Sequence, residues 1–343
     1  TTIGNPSSIH FYGRDAKKRL QEAHDEIANY LNVTPREIVF TSGATEALNL
    51  VLRGLLKAKP CHVISSDLEH PAVYSTLKEM EKEGVSVSFL QGGLHGAIQI
   101  DAVQKAFTEK TALIVLMAVN NETGVKTDIP AIAAFAKEKG IHLVVDGVAL
   151  LGKEEFQIPD GVSAACFSGH KFHAPKGIGF AFIRKSLKLT PFITGGDQEF
   201  GRRSGTENLP GIIAMQKAIQ LLKLELPQAT FRMESLRDRL ENRLMNTLSN
   251  VMINGQGLRI CNTSNLLFKN VDAEVLMTKL DREGIAISLG SACASGAIEP
   301  SRVLLNMGLS IDDASSSIRF SLSRFTTEDE IDRTAEAIIR ILK

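Results

Sequence analysis

The stretch Ala164-Ala165-Cys166-Phe167-Ser168-Gly169-His170-Lys171 reads as a short apolar run that ends in a serine, a glycine, a histidine and a lysine. A few apolar residues bounded by turn residues are the pattern of a buried strand, and this run lies within an alternation of strand and helix patterns. A strand that delivers a lysine at its end makes Lys171 a candidate Schiff-base amine. An amine attacks a carbonyl only when unprotonated, and burial beside polar partners lowers a lysine pKa far enough for that at neutral pH. The competing reading is an ordinary solvated loop lysine. The neighbours of Lys171 decide between the two.

Outward from this stretch, strand patterns at Glu37-Phe40, His62-Ser65, Ser86-Leu90, Ala112-Met117, His142-Val145, Ala164-Phe167 and Gly179-Ile183 alternate with helical ones. The helical segments are Asp15-Leu31, Thr45-Leu56, Ala72-Lys82, Asp101-Phe107 and Ile129-Lys139. Such an alternation predicts an α/β fold with a largely parallel sheet covered by helices. Leu209-Leu224 and Gln228-Leu248 read as two helices interrupted by Pro227, which cannot donate to the helical ladder. The domain boundary is expected there, giving a large domain over 1–227, whose first residues could join the other domain, and a smaller α+β domain over 228–343. In the latter, strands are expected at Ser264-Phe268 and Ser317-Leu322 and helices at Ala273-Glu283 and Thr327-Ile341.

A chain of 343 residues, 43% of them apolar, can bury a core for about two domains at roughly 150 residues each. Lysine plus arginine equals aspartate plus glutamate at 39 each, which argues against nucleic acid or an anionic membrane as a direct partner. The cysteines, Cys61, Cys166, Cys261 and Cys293, form no CxxC pair. That suits a reducing, cytoplasmic setting and no intrinsic metal site, and any functional cysteine should act singly. The longest uncharged apolar stretch, Thr111-Val119, is far short of a membrane span of about 20 residues, and no signal peptide is visible.

Chemistry gathers where strands end, which in open α/β sheets is where ligands bind. After Ile38-Val39-Phe40 comes Thr41-Ser42-Gly43-Ala44-Thr45-Glu46, a glycine turn into a helix that offers backbone N–H groups to a phosphate. It lacks the nucleotide-binding glycine patterns, so a single phosphate suits it better than a triphosphate, and nucleotide binding is set aside. The apolar strand His142-Val145 delivers Asp146, a carboxylate that needs a cationic or hydrogen-bonding partner if buried. A phosphate cup, a strand-end aspartate and a strand-end lysine are together what pyridoxal 5'-phosphate requires. A second cluster, Ser288 to Ala297, is a run of small residues around Cys293. Small surroundings keep a thiol accessible, whereas Cys166, among apolar residues, reads as structural.

These motifs give the chain a resemblance to the cysteine desulfurases of the NifS/IscS type, pyridoxal-phosphate enzymes of fold type I in the class-V aminotransferase family. It is carried by Gly4-Asn5-Pro6-Ser7-Ser8, Phe40 to Glu46, Glu69-His70, Asn120-Asn121-Glu122-Thr123-Gly124, Ser168 to Lys171, Arg203-Ser204-Gly205-Thr206, Ser291-Ala292-Cys293 and Ser317-Ile318-Arg319-Phe320-Ser321. The resemblance implies that Lys171 carries the cofactor, Asp146 pairs with the ring nitrogen, and His70 stacks on the ring and helps move protons. Ala44, Thr45, Ser168 and His170 would hold the phosphate, Val148 would line the cofactor site, and Thr206 would reach the phosphate of the neighbouring subunit of a homodimer. Asn121 would lie by the ring oxygen and the substrate carboxylate, which Arg319 would clamp with its planar fork. For His70 and Asn121 the bland alternative is a local capping role.

The resemblance further implies L-cysteine as substrate, a persulfide on Cys293, and delivery of sulfur to an acceptor or iron–sulfur scaffold protein, with Cys293 able to lend a transient cluster ligand. The loop around Cys293 is similar to the longer-loop branch of the family. One departure stands out. The family reads Asp-Ala-Val-Gln after the central strand, whereas this chain reads Asp146-Gly147-Val148-Ala149, and alanine cannot make the glutamine's hydrogen bond to the ring oxygen. A selenocysteine lyase, another fold-type I lyase, or a weakened homologue serving as a partner-binding subunit are the alternative readings.

Overall fold

The computed structural model describes residues 4–56, 61–290 and 299–343. Within it the chain divides into two compact units. The first comprises the segments up to Leu90, Ile100–Ala118 and Asp128–Glu225; the second comprises Gln91–Gln99, Val119–Thr127 and Leu226–Lys343. Residues 91–99 and 119–127, expected in the large domain, therefore cluster with the C-terminal unit.

The first unit is built on seven strands: β1 (Ile38–Thr41), β2 (His62–Ser66), β3 (Ser86–Leu90), β4 (Thr111–Met117), β5 (His142–Asp146), β6 (Ala164–Ser168) and β7 (Gly179–Ile183). Their order is β1-β7-β6-β5-β4-β2-β3. The pairs β2·β3, β2·β4, β4·β5 and β5·β6 are parallel, while β7 runs antiparallel to both β6 and β1. The sheet is thus parallel except for β7. Strands β1, β2, β5 and β6 are buried along almost their whole length, which explains why they read as apolar runs without alternation.

Local chemistry sets the helix starts. α1 (Phe11–Leu31) begins where the His10 side chain accepts the Gly13 N–H and ends at Asn32 in the left-handed conformation. α2 (Ala44–Leu55) buries Ala47, Leu48, Val51 and Leu52 against the sheet. α3 (Pro71–Lys82) has proline at its first turn, where a missing N–H costs nothing.

The second unit contains a four-stranded antiparallel sheet in the order β10-β11-β9-β8, formed by β8 (Val251–Ile253), β9 (Thr263–Phe268), β10 (Ser288–Leu289) and β11 (Ser317–Ser321). Helices Ala273–Asp281 and Glu328–Leu342 cover it, and Leu266, Phe268, Ile318, Phe320, Ile331 and Ile338 fill the core. Strands β8 and β10 escape sequence reading because three and two residues are too few to show a period.

The expected helical break at Pro227 is not found. Leu209–Thr247 is one helix with Pro227 inside it. The buried stripe Ile219, Leu222, Leu226, Ala229, Met233, Leu236, Leu240 and Leu244 continues at helical spacing through the proline. Burial of that stripe offsets the one hydrogen bond that proline forfeits, a penalty of about 3 kcal/mol.

Candidate active site

Because β1, β6 and β5 run in one direction and β7 in the other, the ends of the first three and the start of β7 share one edge of the sheet. Thr41 and Ser168 both pair with Gly179, and Asp146 pairs with Cys166 and Met117. The chemical residues of the first unit cluster along this edge.

At the phosphate turn, Gly43 offers α2 no side-chain cap, and the Ala44 N–H instead donates to the Ser168 hydroxyl at 3.0 Å. Glycine at 179 makes this possible: a methyl group there would lie 2.4 Å from the Phe167 carbonyl oxygen and 2.7 Å from the Gly43 Cα. Thr45 is exposed at the same helix start. His170 is exposed, and its imidazole is held below the ordinary pKa by desolvation first and then by Lys171 and Lys176. It is therefore a neutral hydrogen-bonding group at pH 7.

Asp146 is 5% exposed, and its carboxyl pKa is pushed up to about 6, chiefly by burial. The Val148 N–H, donating to Oδ1 at 3.0 Å, and the positive field of Lys171 partly oppose that shift. A buried carboxylate in this state fits a cationic ring nitrogen, and the turn at Gly43 fits a phosphate. The donor set thus suits pyridoxal phosphate. The Val148 side chain packs against the core behind the sheet edge, and Ala149 is half-buried.

The Lys171 side chain is exposed, whereas Asp146 is buried. The reason is positional: Asp146 is the last residue of a strand, whereas Lys171 sits on the one-turn helix Gly169–Phe172 beyond the end of β6. The Lys153 ammonium holds that turn by donating to the Lys171 carbonyl at 2.6 Å.

His70 is exposed and caps α3, its Nδ1 accepting the Ala72 N–H at 3.1 Å. The bland capping role is thus realised, and it fixes the ring with Nε2 carrying the proton in the neutral form. Cys166 is fully buried and its thiol pushed well above the ordinary range by desolvation, with Asp146 adding to it, as suits a structural cysteine. Thr206 is exposed. Cys293 lies outside the described residues. Among the described residues no His, Cys, Asp and Glu cluster could hold a metal ion, and no helix is long and apolar enough to cross a membrane.

In the second unit, Arg319 on β11 donates to the Asn121 carbonyl at 2.8 Å, while its Nε and the Asn121 Oδ1 are buried without hydrogen-bond partners. Desolvation lowers the Arg319 pKa against the opposing field of Glu122. Glu122, 4% exposed, has its carboxyl pKa raised by burial despite the Ser301 hydroxyl that donates to it and the charges of Arg319 and Arg302.

Several polar residues here have no signal in the sequence beyond their place in a motif. Buried Glu69 accepts the Ser66 hydroxyl at 2.7 Å and the Met117 N–H at 3.1 Å, tying the loop before His70 to the end of β4. Glu199 accepts the Phe40 N–H at 2.7 Å, and Arg203 forks onto Glu46 at 2.8 and 3.3 Å. Apart from the local Ser66–Glu69 bond, each contact joins residues too far apart in the chain for spacing to reveal it.

Gly147 has its own reason. A methyl group there would lie 2.3 Å from Phe167 Cε1, and that fully buried ring is stacked on Phe180 at 4.8 Å. Gly147→Ala is expected to destabilise the protein by about 1–3 kcal/mol through overpacking beneath Asp146. A thermal melt unchanged from wild type would refute this account of the glycine.

The class-V aminotransferase model matches residues 1–334, and the chain belongs to that family. Among curated relatives, the cysteine desulfurase of Nostoc sp. is 40% identical over 344 residues, covering 99% of this chain and 86% of the relative. A solved NifS-like protein superposes with a TM-score of 0.92 at 34% identity, over 99% of this chain and 92% of the other. A structure described as SspA in complex with cysteine superposes with a TM-score of 0.82 at 30% identity, over 95% and 92%. The α/β architecture is that of pyridoxal-phosphate fold type I, as in these NifS-like neighbours.

Proposed function

We propose that this chain is a pyridoxal 5'-phosphate-dependent cysteine desulfurase that works as a cytoplasmic homodimer. The observation that carries the reading is Asp146: a buried strand-end carboxylate, in the field of the Lys171 ammonium, on the same sheet edge as the Gly43 turn. The cysteine desulfurase names of its relatives and the cysteine in the SspA complex support the substrate.

When bound, the cofactor supplies a carbonyl for amines and an electron sink for bonds broken at the substrate Cα and Cβ. Ala44, Thr45, Ser168 and His170 would hold its phosphate through N–H and hydroxyl groups, and Thr206 would serve the neighbouring subunit. Asp146 would keep the proton on the ring nitrogen, and Val148 would line that end of the site. Lys171 Nζ is the amine that would tether the cofactor, and once free it would act as the base that takes the proton from the substrate Cα. His70, its ring oriented by the α3 cap, would stack on the cofactor ring and could move a proton through Nε2. Arg319 would offer its planar fork, and Asn121 its side-chain amide, to a substrate carboxylate.

The Cys293 thiolate bonds to the substrate sulfur as the Cβ–S bond breaks, and the substrate carbon gains a proton. One cysteine and one thiol thus become one alanine and one persulfide, whose outer sulfur passes to an acceptor or iron–sulfur scaffold protein. Given L-cysteine and a reductant, the cofactor-loaded protein is expected to release alanine and sulfide in equal amounts. Cys293→Ala should keep the visible cofactor absorbance and lose at least about a hundredfold in sulfide release, as for removal of a covalent nucleophile. Undiminished release by the variant would defeat the assignment.

A further inference from the structure

We propose that Arg203 is a positioning residue for the cofactor phosphate: its fork onto Glu46 locks the 197–206 loop to the phosphate turn and cancels a negative charge where a phosphate dianion must sit. The inference rests on the reading of 41–46 as a phosphate-binding turn.

The observations lie within the first unit. Glu46, in the first turn of α2, receives Arg203 Nε on Oε1 at 2.8 Å and Arg203 Nη2 on Oε2 at 3.3 Å, and Oε2 also accepts the Ser42 N–H at 2.9 Å. One carboxylate therefore closes the turn on itself and fastens it to the loop. A second brace runs the other way: Glu199 of the loop accepts the Phe40 N–H at 2.7 Å, on the strand that enters the turn, and lies 3.4 Å from His24 Nε2.

The loop between these braces is held in an uncommon shape. Glu199 and Phe200, neither of them glycine, have φ of 50° and 61° and are followed by Gly201 at 74°. Left-handed conformations at successive non-glycine residues persist only where the surroundings over-determine them. Ser204, whose hydroxyl donates to the Gly196 carbonyl at 2.6 Å, and Gly205, whose N–H donates to Gln198 Oε1 at 3.1 Å, complete the fixation just before Thr206.

Burial pushes the Glu46 carboxyl up, but the bonds from Arg203 and Ser42 outweigh it, so the group is ionised at neutral pH. An ionised carboxylate two residues from Ala44 opposes a phosphate dianion unless its charge is matched, and Arg203 matches it in bidentate geometry. Removing Arg203 thus leaves an unmatched anion as well as a loosened loop. Removing both charges leaves only the loosened loop.

The test titrates full-length apoprotein with pyridoxal phosphate and, separately, with pyridoxal, following absorbance, with far-UV circular dichroism of every variant. Arg203→Gln is expected to weaken pyridoxal phosphate binding about tenfold, the scale of one charge-assisted pair, and to change pyridoxal binding less than about twofold. The double variant Glu46→Gln/Arg203→Gln is expected to bind pyridoxal phosphate more tightly than Arg203→Gln alone. Where Arg203→Gln does not fold, Arg203→Lys carries the test, with an expected loss of about threefold confined to the phosphorylated ligand. Wild-type affinity in the single variant, equal losses for both ligands, or a double variant no better than the single would overturn the proposal. Wild-type protein that binds no pyridoxal phosphate would instead overturn the cofactor reading, and this inference with it.

Discussion

Replacing Lys171 by alanine is expected to abolish covalent attachment of the cofactor and to slow alanine formation from cysteine by about 10²- to 10⁴-fold, the range for loss of a positioned acid–base group. The effect follows from the two tasks proposed for one amine, holding the cofactor and moving the Cα proton. The fold should be little affected, because the side chain is exposed and the bond from Lys153 goes to the main-chain carbonyl, which alanine keeps. Borohydride reduction followed by mass measurement reports the covalent link, and amino-acid analysis reports the rate. A variant whose mass still rises by one reduced cofactor after borohydride, or that turns over near the wild-type rate, would remove the central residue of the proposed function.

The second large effect has opposite signs for activity and for stability. In the unfolded chain the Asp146 carboxyl titrates near its ordinary 3.8, and in the folded chain near 6, because burial disfavours the charged form. The native state therefore binds the proton more tightly. The advantage this gives the apoprotein is complete below pH 3.8 and is lost as pH rises through about 6. The gap corresponds to about 3 kcal/mol that the apoprotein lacks at neutral pH relative to acid. Asp146→Asn keeps an acceptor for the Val148 N–H and removes the charge. The variant apoprotein is expected to be more stable than wild type at pH 7 by up to about 3 kcal/mol, with the difference vanishing near pH 4. Its turnover of cysteine should fall at least about a hundredfold, because a neutral amide does not hold the ring nitrogen in its protonated form. Urea denaturation at the two pH values and a turnover assay measure both halves. An apoprotein variant less stable than wild type at pH 7, or one that retains turnover, would contradict the assignment.

Such an exchange of stability for activity is the signature of a group placed for a ligand rather than for the fold. Asp146 illustrates how far sequence alone reaches. His142-Leu143-Val144-Val145 announces a buried strand, so a carboxylate at its end is legible as a buried charge in need of a partner, and in the same way Ser168 stands at the end of β6 and Lys171 just beyond it. What could not be read is that Lys171 is exposed while Asp146 is buried, since that depends on a strand end and a one-turn helix meeting the sheet edge at different depths. Pro227 misled for a related reason. Local propensity predicts a break, and the buried stripe that overrides it is a tertiary quantity.

By itself, then, the order of residues determined the alternation of strands and helices, the turn at Gly43, the strand-end aspartate and lysine, and the isolated cysteine at 293. All of these depend on periods and neighbours within about ten residues, where covalent connection already brings the groups together. Only the tertiary structure decided that β7 runs against its neighbours, that 91–99 and 119–127 cluster with the C-terminal unit, and that Glu46, Glu69 and Glu199 find Arg203, Met117 and Phe40. Those pairings span many tens of residues. A carboxylate carries no mark in the sequence of which distant donor will neutralise it; that choice is made when burial removes water and the folded backbone supplies the nearest donor.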